Sequence, residues 1–159
     1  MNSNHYDFAK QILASKQFFD RSTSVLEEAD SNFRPQKEMM TVAQQIAHTA
    51  QTLDWFVEGV SRPEGFDLNF EEHAKEVQAV TSLAAARKWL ERSFANAVEF
   101  FRSCGPEKLS APLPPGPIMG GQPMSDIVWA VVEHTAHHRG ALTVYSRQIG
   151  KVPPMPYGV

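Results

Sequence analysis

Helical periodicity constrains this chain more than any other feature. Apolar residues recur at three- and four-residue steps through four long segments, and no segment shows the alternation of a convincing strand. Each segment therefore presents one apolar face that must be buried against another helix. The predicted helices extend from about Tyr6 to Ala29, from about Glu38 to Val60, from Thr81 or Ser82 to Gly105-Pro106, and from Ser125 to about Ile149.

Two long connections shape the predicted topology. The stretch from about Arg62 to Val80, with an acidic run at 70–73, exceeds the roughly 2–8 residues that usually join neighbouring helices of a bundle. The stretch from Ala111 to Pro123 is rich in proline and glycine, so it can form neither a helix nor a regular strand. The pattern predicts an all-α four-helix bundle with long crossover connections, at least one of them between parallel neighbours.

The composition is that of an ordinary globular chain. A length of 159 residues predicts a single domain over residues 1–159, and a net charge of -3 without any Lys/Arg cluster predicts no nucleic-acid partner. We identify no signal peptide and no apolar run of the roughly 20 residues that a membrane span needs. Since the single cysteine, Cys104, cannot form an internal disulfide, we expect a reducing, cytoplasmic location.

Three of the six histidines lie within five residues of one another near the C-terminus. His134 and His138 are four residues apart, so they lie one above the other on the face that carries the apolar stripe of the predicted fourth helix. Two buried imidazoles need partners for their ring nitrogens and cannot both be protonated. A shared divalent metal ion meets both conditions because it binds neutral imidazole nitrogens. The alternative is a histidine cluster, in the core or on the surface, that holds no ligand.

Two histidines do not complete a metal site, because catalytic zinc sites usually have three protein ligands and one open position. The HExxH pattern, in which a general base lies between two ligands, is absent. Candidates for a third ligand are the acidic residues and the other histidines, namely His5, His48, His73 and His137.

His48 shares a helical face with Trp55, away from the main apolar stripe of the second predicted helix. It therefore either lines a cleft or a second interface, or it is exposed. We expect His137 to lie beside the histidine pair or at the surface, and His5 and His73 to be solvated.

Two motifs are similar to those of a known family. The first comprises His134 to Leu142, then Tyr145-Ser146-Arg147 and the ending Gly150 to Gly158; the second comprises Ile46-Ala47-His48 and Trp55. In these motifs, and in the order of its elements over the whole chain, the sequence resembles the DinB/YfiT-like family.

The resemblance implies a four-helix bundle of unusual connectivity, often a homodimer, that binds a divalent metal ion, usually zinc or nickel, through three histidines. Matched position by position, these ligands are His48, His134 and His138. It also implies activities such as thiol transfer, thiol-dependent isomerisation and hydrolysis. Many family members carry glutamine where this chain has Ala141, so any polar role of that side chain is absent here.

Three neutral imidazoles and an open coordination position allow two kinds of chemistry. The metal can lower the pKa of a bound water to about 7 for hydrolysis, or it can hold a low-molecular-weight thiol as thiolate for attack on an electrophile. Thiol transfer needs no carboxylate beside the metal, which suits this sequence. We therefore predict a metal-dependent thiol transferase or hydrolase that acts on a small electrophilic molecule. The alternative is a catalytically silent metal- or ligand-binding dimer in stress response.

No catalytic residue is assigned, but several side chains are candidates for substrate contacts. Tyr145 could donate a hydrogen bond to a substrate or belong to the core. Arg139 and Arg147 could bind a substrate carboxylate. The proline- and glycine-rich loop, with Met119 and Met124, could form an edge of the cleft or serve as a plain linker.

Overall fold

The computed structural model describes residues 7–158, and within this range the chain is all-helical, which confirms the predicted fold class. The four long helices correspond to the four predicted segments, and a 3-10 turn occupies Glu28–Asp30. The α-helices of the described range are α1 (Phe8–Thr23), α2 (Val42–Ser61), α3 (Phe70–Gln78), α4 (Leu83–Ser103), α5 (Pro106–Ser110) and α6 (Asp126–Gln148). Helices α1 and α2 each pack against both α4 and α6.

Contacts of the loop between α1 and α2 show where three helices begin and end. The carbonyl of Ser31 accepts the N–H of Ala43 in α2 (3.0 Å), and its hydroxyl accepts the N–H of Leu83 at the start of α4 (2.9 Å). Lys151, just beyond α6, forms an ion pair with Asp30 in the same loop (2.5 Å). Helices α2 and α4 therefore begin at the end of the bundle where α6 stops, so they run parallel to each other and antiparallel to α6.

Helix α1 runs parallel to α6. Arg21, near the end of α1, donates to the carbonyl of Pro156 in the C-terminal segment that follows α6 (3.1 Å). Arg87, in the first turns of α4, donates to the carbonyl of Thr23 (2.7 Å). The bundle thus consists of two parallel pairs that point in opposite directions, and the chain crosses between the parallel helices α2 and α4 through α3.

Two helices are shorter than predicted. Helix α1 ends at Thr23, and Leu26, although buried, belongs to the following turns. Helix α2 begins at Val42 because Thr41 and Gln44 form a reciprocal capping box: Gln44 N–H donates to the Thr41 hydroxyl (3.2 Å), and Thr41 N–H donates to the Gln44 side chain (2.9 Å). Met39, which lies within the predicted helix, precedes the observed one and is 40% exposed.

Helix α3 lies in a segment that we predicted to be a connection without helix. It begins after Asn69, whose side chain accepts the N–H of Glu72 (3.3 Å). It buries a single residue, Val77, so it carries almost no apolar repeat by which its sequence could have been recognised.

Different hydrogen bonds hold the two ends of α6. Ser125 is the N-cap residue of α6, where the sequence predicts the helix to open, but its side chain makes no capping hydrogen bond; its N–H donates to the carbonyl of Leu109 (2.9 Å). At the other end Gly150 has φ of +78°, and Lys151 N–H donates to Ser146 O (2.9 Å), as expected for a glycine just past a helix.

The structure also describes the single cysteine and the hydropathy of the helices. Cys104 is free and buried. Within residues 7–158 no helix combines the length and the apolar content that crossing a bilayer would require.

We expect Thr41→Ala to lower the free energy of unfolding by about 1 kcal/mol, because the first turn of α2 loses a hydrogen-bond acceptor. Thr41→Ser retains the hydroxyl and is the matched control. Urea unfolding followed by circular dichroism measures both variants. Equal unfolding midpoints for Thr41→Ala and the unsubstituted protein would contradict the capping box.

Candidate metal centre

The antiparallel contact between α2 and α6 brings three histidines together. The ring centroids of His134 and His138, one turn apart on α6, are separated by 4.5 Å. The ring of His48 from α2 lies 5.1 Å from the first and 4.8 Å from the second. Each ring offers one nitrogen, and the three nitrogens lie within 4.8 Å of one another. No carboxylate or thiol of residues 7–158 joins this group.

The spacing of these nitrogens is compatible with a shared ion. Nitrogens bound to zinc at about 2.0–2.1 Å in a tetrahedral site are about 3.3 Å apart, so small side-chain rotations suffice to reach that spacing. The cluster draws on two helices whose backbones are held by core packing, as a metal site with fixed geometry requires.

A chain of hydrogen bonds orients His138, which is 6% exposed. Its Nδ1 lies 2.5 Å from the side-chain oxygen of Gln45. The amide nitrogen of Gln45 donates to the hydroxyl of Tyr145 (3.2 Å), and that hydroxyl donates to the carbonyl of Met40 (3.0 Å). The chain connects α6 to the start of α2.

The direction of this chain determines the tautomer of His138. A backbone carbonyl can only accept, so the Tyr145 hydroxyl uses its hydrogen there and must accept from Gln45. Gln45 therefore presents its amide nitrogen to Tyr145 and its oxygen to His138. That oxygen can only accept, so Nδ1 of His138 carries the hydrogen, and Nε2 retains the lone pair that a metal ligand needs.

His134 lacks the partner that His138 has. Its Nε2 is buried and makes no hydrogen bond with any of the described residues. Buried polar nitrogens are normally paired, and an unpaired one costs about 1–3 kcal/mol. A bound cation would provide the missing partner, so the residues present fit a divalent metal ion.

Burial keeps all three imidazoles neutral. It is the largest cause of the lowered pKa of His134, which falls to about 4, with the neighbouring His48 as a further cause. Burial, followed by the proximity of His134, lowers the pKa of His138 to about 3. The pKa of His48 is lowered as well, mainly by burial. Near pH 7 each ring therefore has an unprotonated nitrogen, the form that binds metals.

A cavity of about 730 Å³ lies over the histidine cluster, and His48 and His134 form part of its wall. His48 is half-buried there, which resolves the two alternatives for its face in favour of a cleft. Helix α2 forms one side of the cavity, α3 the opposite side, and the loop before α2 a third. The wall includes three aromatic side chains and two exposed cations, Trp55, Phe56, Phe70, Arg34 and Lys37.

The other histidines are placed apart from the cluster or beside it. His137 is exposed, with its ring 4.9 Å from that of His138. His73 lines the cavity from α3 with its Nε2 buried, so the expectation that it is solvated was wrong. His5 lies outside the described residues.

The predicted substrate contacts are not in this cavity. Tyr145 is 1% exposed and belongs to the hydrogen-bond chain behind His138. Arg139 lies over two aromatic rings on the other side of α6, and Arg147 donates to a carbonyl of its own helix. Met124 is buried in the core, and neither it nor Met119 lines the cavity, because the loop between α5 and α6 lies near the other end of the bundle.

Gln45 is the site residue that the sequence analysis missed. It precedes His48 by three residues, so both side chains point towards α6. That spacing was the available signal, but a glutamine within an amphipathic helix is usually solvated, whereas this one is buried.

The comparisons with known proteins agree with this geometry. A family model described as the DinB superfamily matches residues 14–142, a range that includes all three clustered histidines. The search of curated proteins found no match.

We expect Gln45→Met to weaken zinc binding by about 10–100-fold, because Nδ1 of His138 loses the acceptor that orients the ring. Gln45→Glu retains an acceptor of similar reach and should bind zinc at least as tightly as the unsubstituted protein. Competition with a chromophoric chelator at pH 7 measures both affinities. Equal affinities of the methionine and glutamate variants would contradict the role of this hydrogen bond.

We expect the metal-free protein to lose stability as the pH falls from about 6.5 towards 4. The unfolded chain binds protons on its histidines near pH 6.5, whereas the folded chain holds the pKa of His134 at about 4, so acid favours the unfolded state. Urea unfolding with a chelator present, at pH 7.5 and 5, measures the effect.

His134→Asn should reduce this pH dependence, since one of the groups with a lowered pKa is removed. His137→Asn is the matched control, because His137 lies on the same helix and is exposed. If both variants retained the full dependence, burial of His134 would not be its cause.

Proposed function

The chain belongs to the DinB superfamily, and from this premise we propose that it binds one divalent metal ion, zinc or nickel, through His48, His134 and His138. We further propose that the bound ion serves thiol transfer to a small electrophilic molecule, or its hydrolysis. The observation that carries the proposal is the convergence of three neutral imidazoles beside a cavity.

The ligand set favours an anionic fourth ligand. Three neutral nitrogens leave the full double charge of a divalent ion uncompensated, and no carboxylate of the described residues joins them. The ion would lower the pKa of a water or a thiol at its open position, so that either becomes a nucleophile near neutral pH. The fold contributes by holding the imidazoles neutral and oriented, chiefly through Gln45.

The cavity supports a reaction of a small molecule. Its volume of about 730 Å³ falls within the range of about 300–1,000 Å³ that is typical of ligand sites. Aromatic side chains on α2 and α3, Trp55, Phe56 and Phe70, offer an apolar surface for the body of a substrate. His48 and His134 lie in the same wall, so a ligand bound there can approach the proposed metal position.

Metal analysis tests the ligand set. Protein purified without a histidine tag should contain about one zinc or nickel ion per chain. The alanine variants of His48, His134 and His138 should lose it, because two neutral imidazoles leave the site incomplete. His137→Ala should retain the ion, since that ring lies outside the cluster. Full metal content in His134→Ala would show that the proposed ligands are wrong.

A thiol screen separates an enzyme from a silent binder. Metal-loaded protein is mixed with a series of low-molecular-weight thiols and a chromogenic electrophile, and the product is followed by absorbance. We expect turnover with at least one thiol and its loss in His48→Ala. Metal binding without turnover, with any thiol or with a chromogenic ester, would favour the catalytically silent alternative.

A further inference from the structure

His73 lines the same cavity as His48 and His134, on helix α3 across from α2. Helix α3 runs antiparallel to α2, because Trp55 Nε1 donates to the carbonyl of Asp67 (2.7 Å) and Gln44 Nε2 donates to the carbonyl of Gln78 (3.2 Å). His73 lies five residues before Gln78 on α3, and His48 lies four residues after Gln44 on α2. With a rise of about 1.5 Å per residue, the two histidines are at nearly the same height along the bundle.

Asp67 is held in place beside His73. One carboxylate oxygen of Asp67 accepts the N–H of Asn69 (2.9 Å), and its backbone carbonyl is bound by Trp55. The other carboxylate oxygen lies 3.7 Å from Nε2 of His73. That Nε2 is buried and makes no hydrogen bond within residues 7–158. A slight approach would pair the two groups, which leaves Nδ1 as the ring nitrogen available to the cavity.

We propose that His73, oriented by Asp67, is the catalytic proton acceptor for the nucleophile bound in this cavity. The inference rests on the proposed function and deepens it. The clustered histidines are assigned to the metal, whereas His73 lines the same cavity and lies outside the ligand set. A carboxylate that binds one nitrogen of an imidazole fixes its tautomer and stabilises the cation that forms when the other nitrogen takes a proton.

The proposed proton transfer balances without any further reactant. Nδ1 of His73 takes the proton of a thiol or a water as the sulfur or oxygen lone pair forms a bond to the electrophilic carbon. The leaving group departs with the electrons of its bond and receives that proton from Nδ1. His73 returns to its neutral form, and Nε2–H remains paired with the Asp67 carboxylate throughout.

Several other charged or titratable groups share the cavity or the helix with His73. Two histidines, His48 and His134, lie across the cavity from it. Three exposed charged side chains, Arg34, Lys37 and Glu38, lie at the rim. On α3 itself, Glu71, Glu72 and Lys75 pair with one another at the exposed surface. Since none of the rim or surface groups lies within salt-bridge distance of His73, Asp67 is the partner that defines its role.

The tautomer of His73 tests the geometry without any need for activity. Long-range ¹H–¹⁵N spectra of the labelled, metal-loaded protein distinguish the two neutral forms, and His73→Gln identifies the signal. We expect the hydrogen on Nε2 and a change of the Nε2 signal in Asp67→Asn. A hydrogen on Nδ1, or a signal that Asp67→Asn leaves unaltered, would overturn the proposal.

Kinetics test the role. With a thiol and a chromogenic electrophile, His73→Gln should lower kcat by about 10²–10⁴-fold and remove the acidic limb of the pH–rate profile. Asp67→Asn should lower kcat less and move that limb. Metal content should be unchanged in both variants, and His137→Gln is the matched control. An unchanged kcat and pH profile in His73→Gln would refute the proposal, as would the absence of turnover in the unsubstituted protein.

The two proposals fail in different ways. Retention of metal in His134→Ala refutes the ligand set, whatever the state of His73. Loss of metal in His134→Ala together with full activity in His73→Gln leaves the metal centre intact and refutes the proton acceptor alone.

Discussion

The contact between α2 and α6 depends on how the buried imidazole nitrogens between them are satisfied. His138 has one partner that the fold supplies, because its hydrogen bond to Gln45 continues through Tyr145 to a backbone carbonyl. Nε2 of His134 has no such partner among the described residues. Burial prevents these rings from recovering their hydration or their charge. The interface is therefore incomplete as a core but suitable for a metal ion, because one buried nitrogen is unpaired and burial keeps the rings neutral.

The parallel pairing of α2 and α4 determines where the cavity lies. A connection between two parallel neighbouring helices must run back along the length of the bundle. Here the connection from α2 to α4 does so, and it contains α3. It contacts α2 near both of its own ends, through Asp67 and Gln78. Its side chains thus become the wall opposite His48. A short loop between antiparallel neighbours could not cover this surface, so the crossover connection is what turns a histidine cluster into a pocket.

The sequence predicted those features that depend on local periodicity. The four long helices were recognisable because each buries a regular stripe, and the pair on α6 follows from a spacing of four residues. Helix α3 was missed because Val77 is the one residue it buries. The surroundings of His48 could not be predicted from one apolar stripe, because α2 packs against α3, α4 and α6. Polar side chains of α2 such as Gln45 and Thr49 are therefore buried together with the apolar ones. Only the resemblance to a family selected His48 as the third ligand, and the metal's identity and the homodimer stay predictions.

The proposed ligands and the proposed proton acceptor belong to elements of different local stability. His48 and His134 lie on helices that bury apolar residues along most of their length, whereas His73 lies on a nine-residue helix that buries one. Elements with few buried apolar contacts open at the lowest free energy. Displacement of α3 would therefore open the cavity and remove His73 while the metal ligands stay in place. If both proposals hold, such an arrangement would allow substrate and product to exchange without loss of the ion, because the residues proposed to hold the ion are not the residues of α3 that cover the cavity.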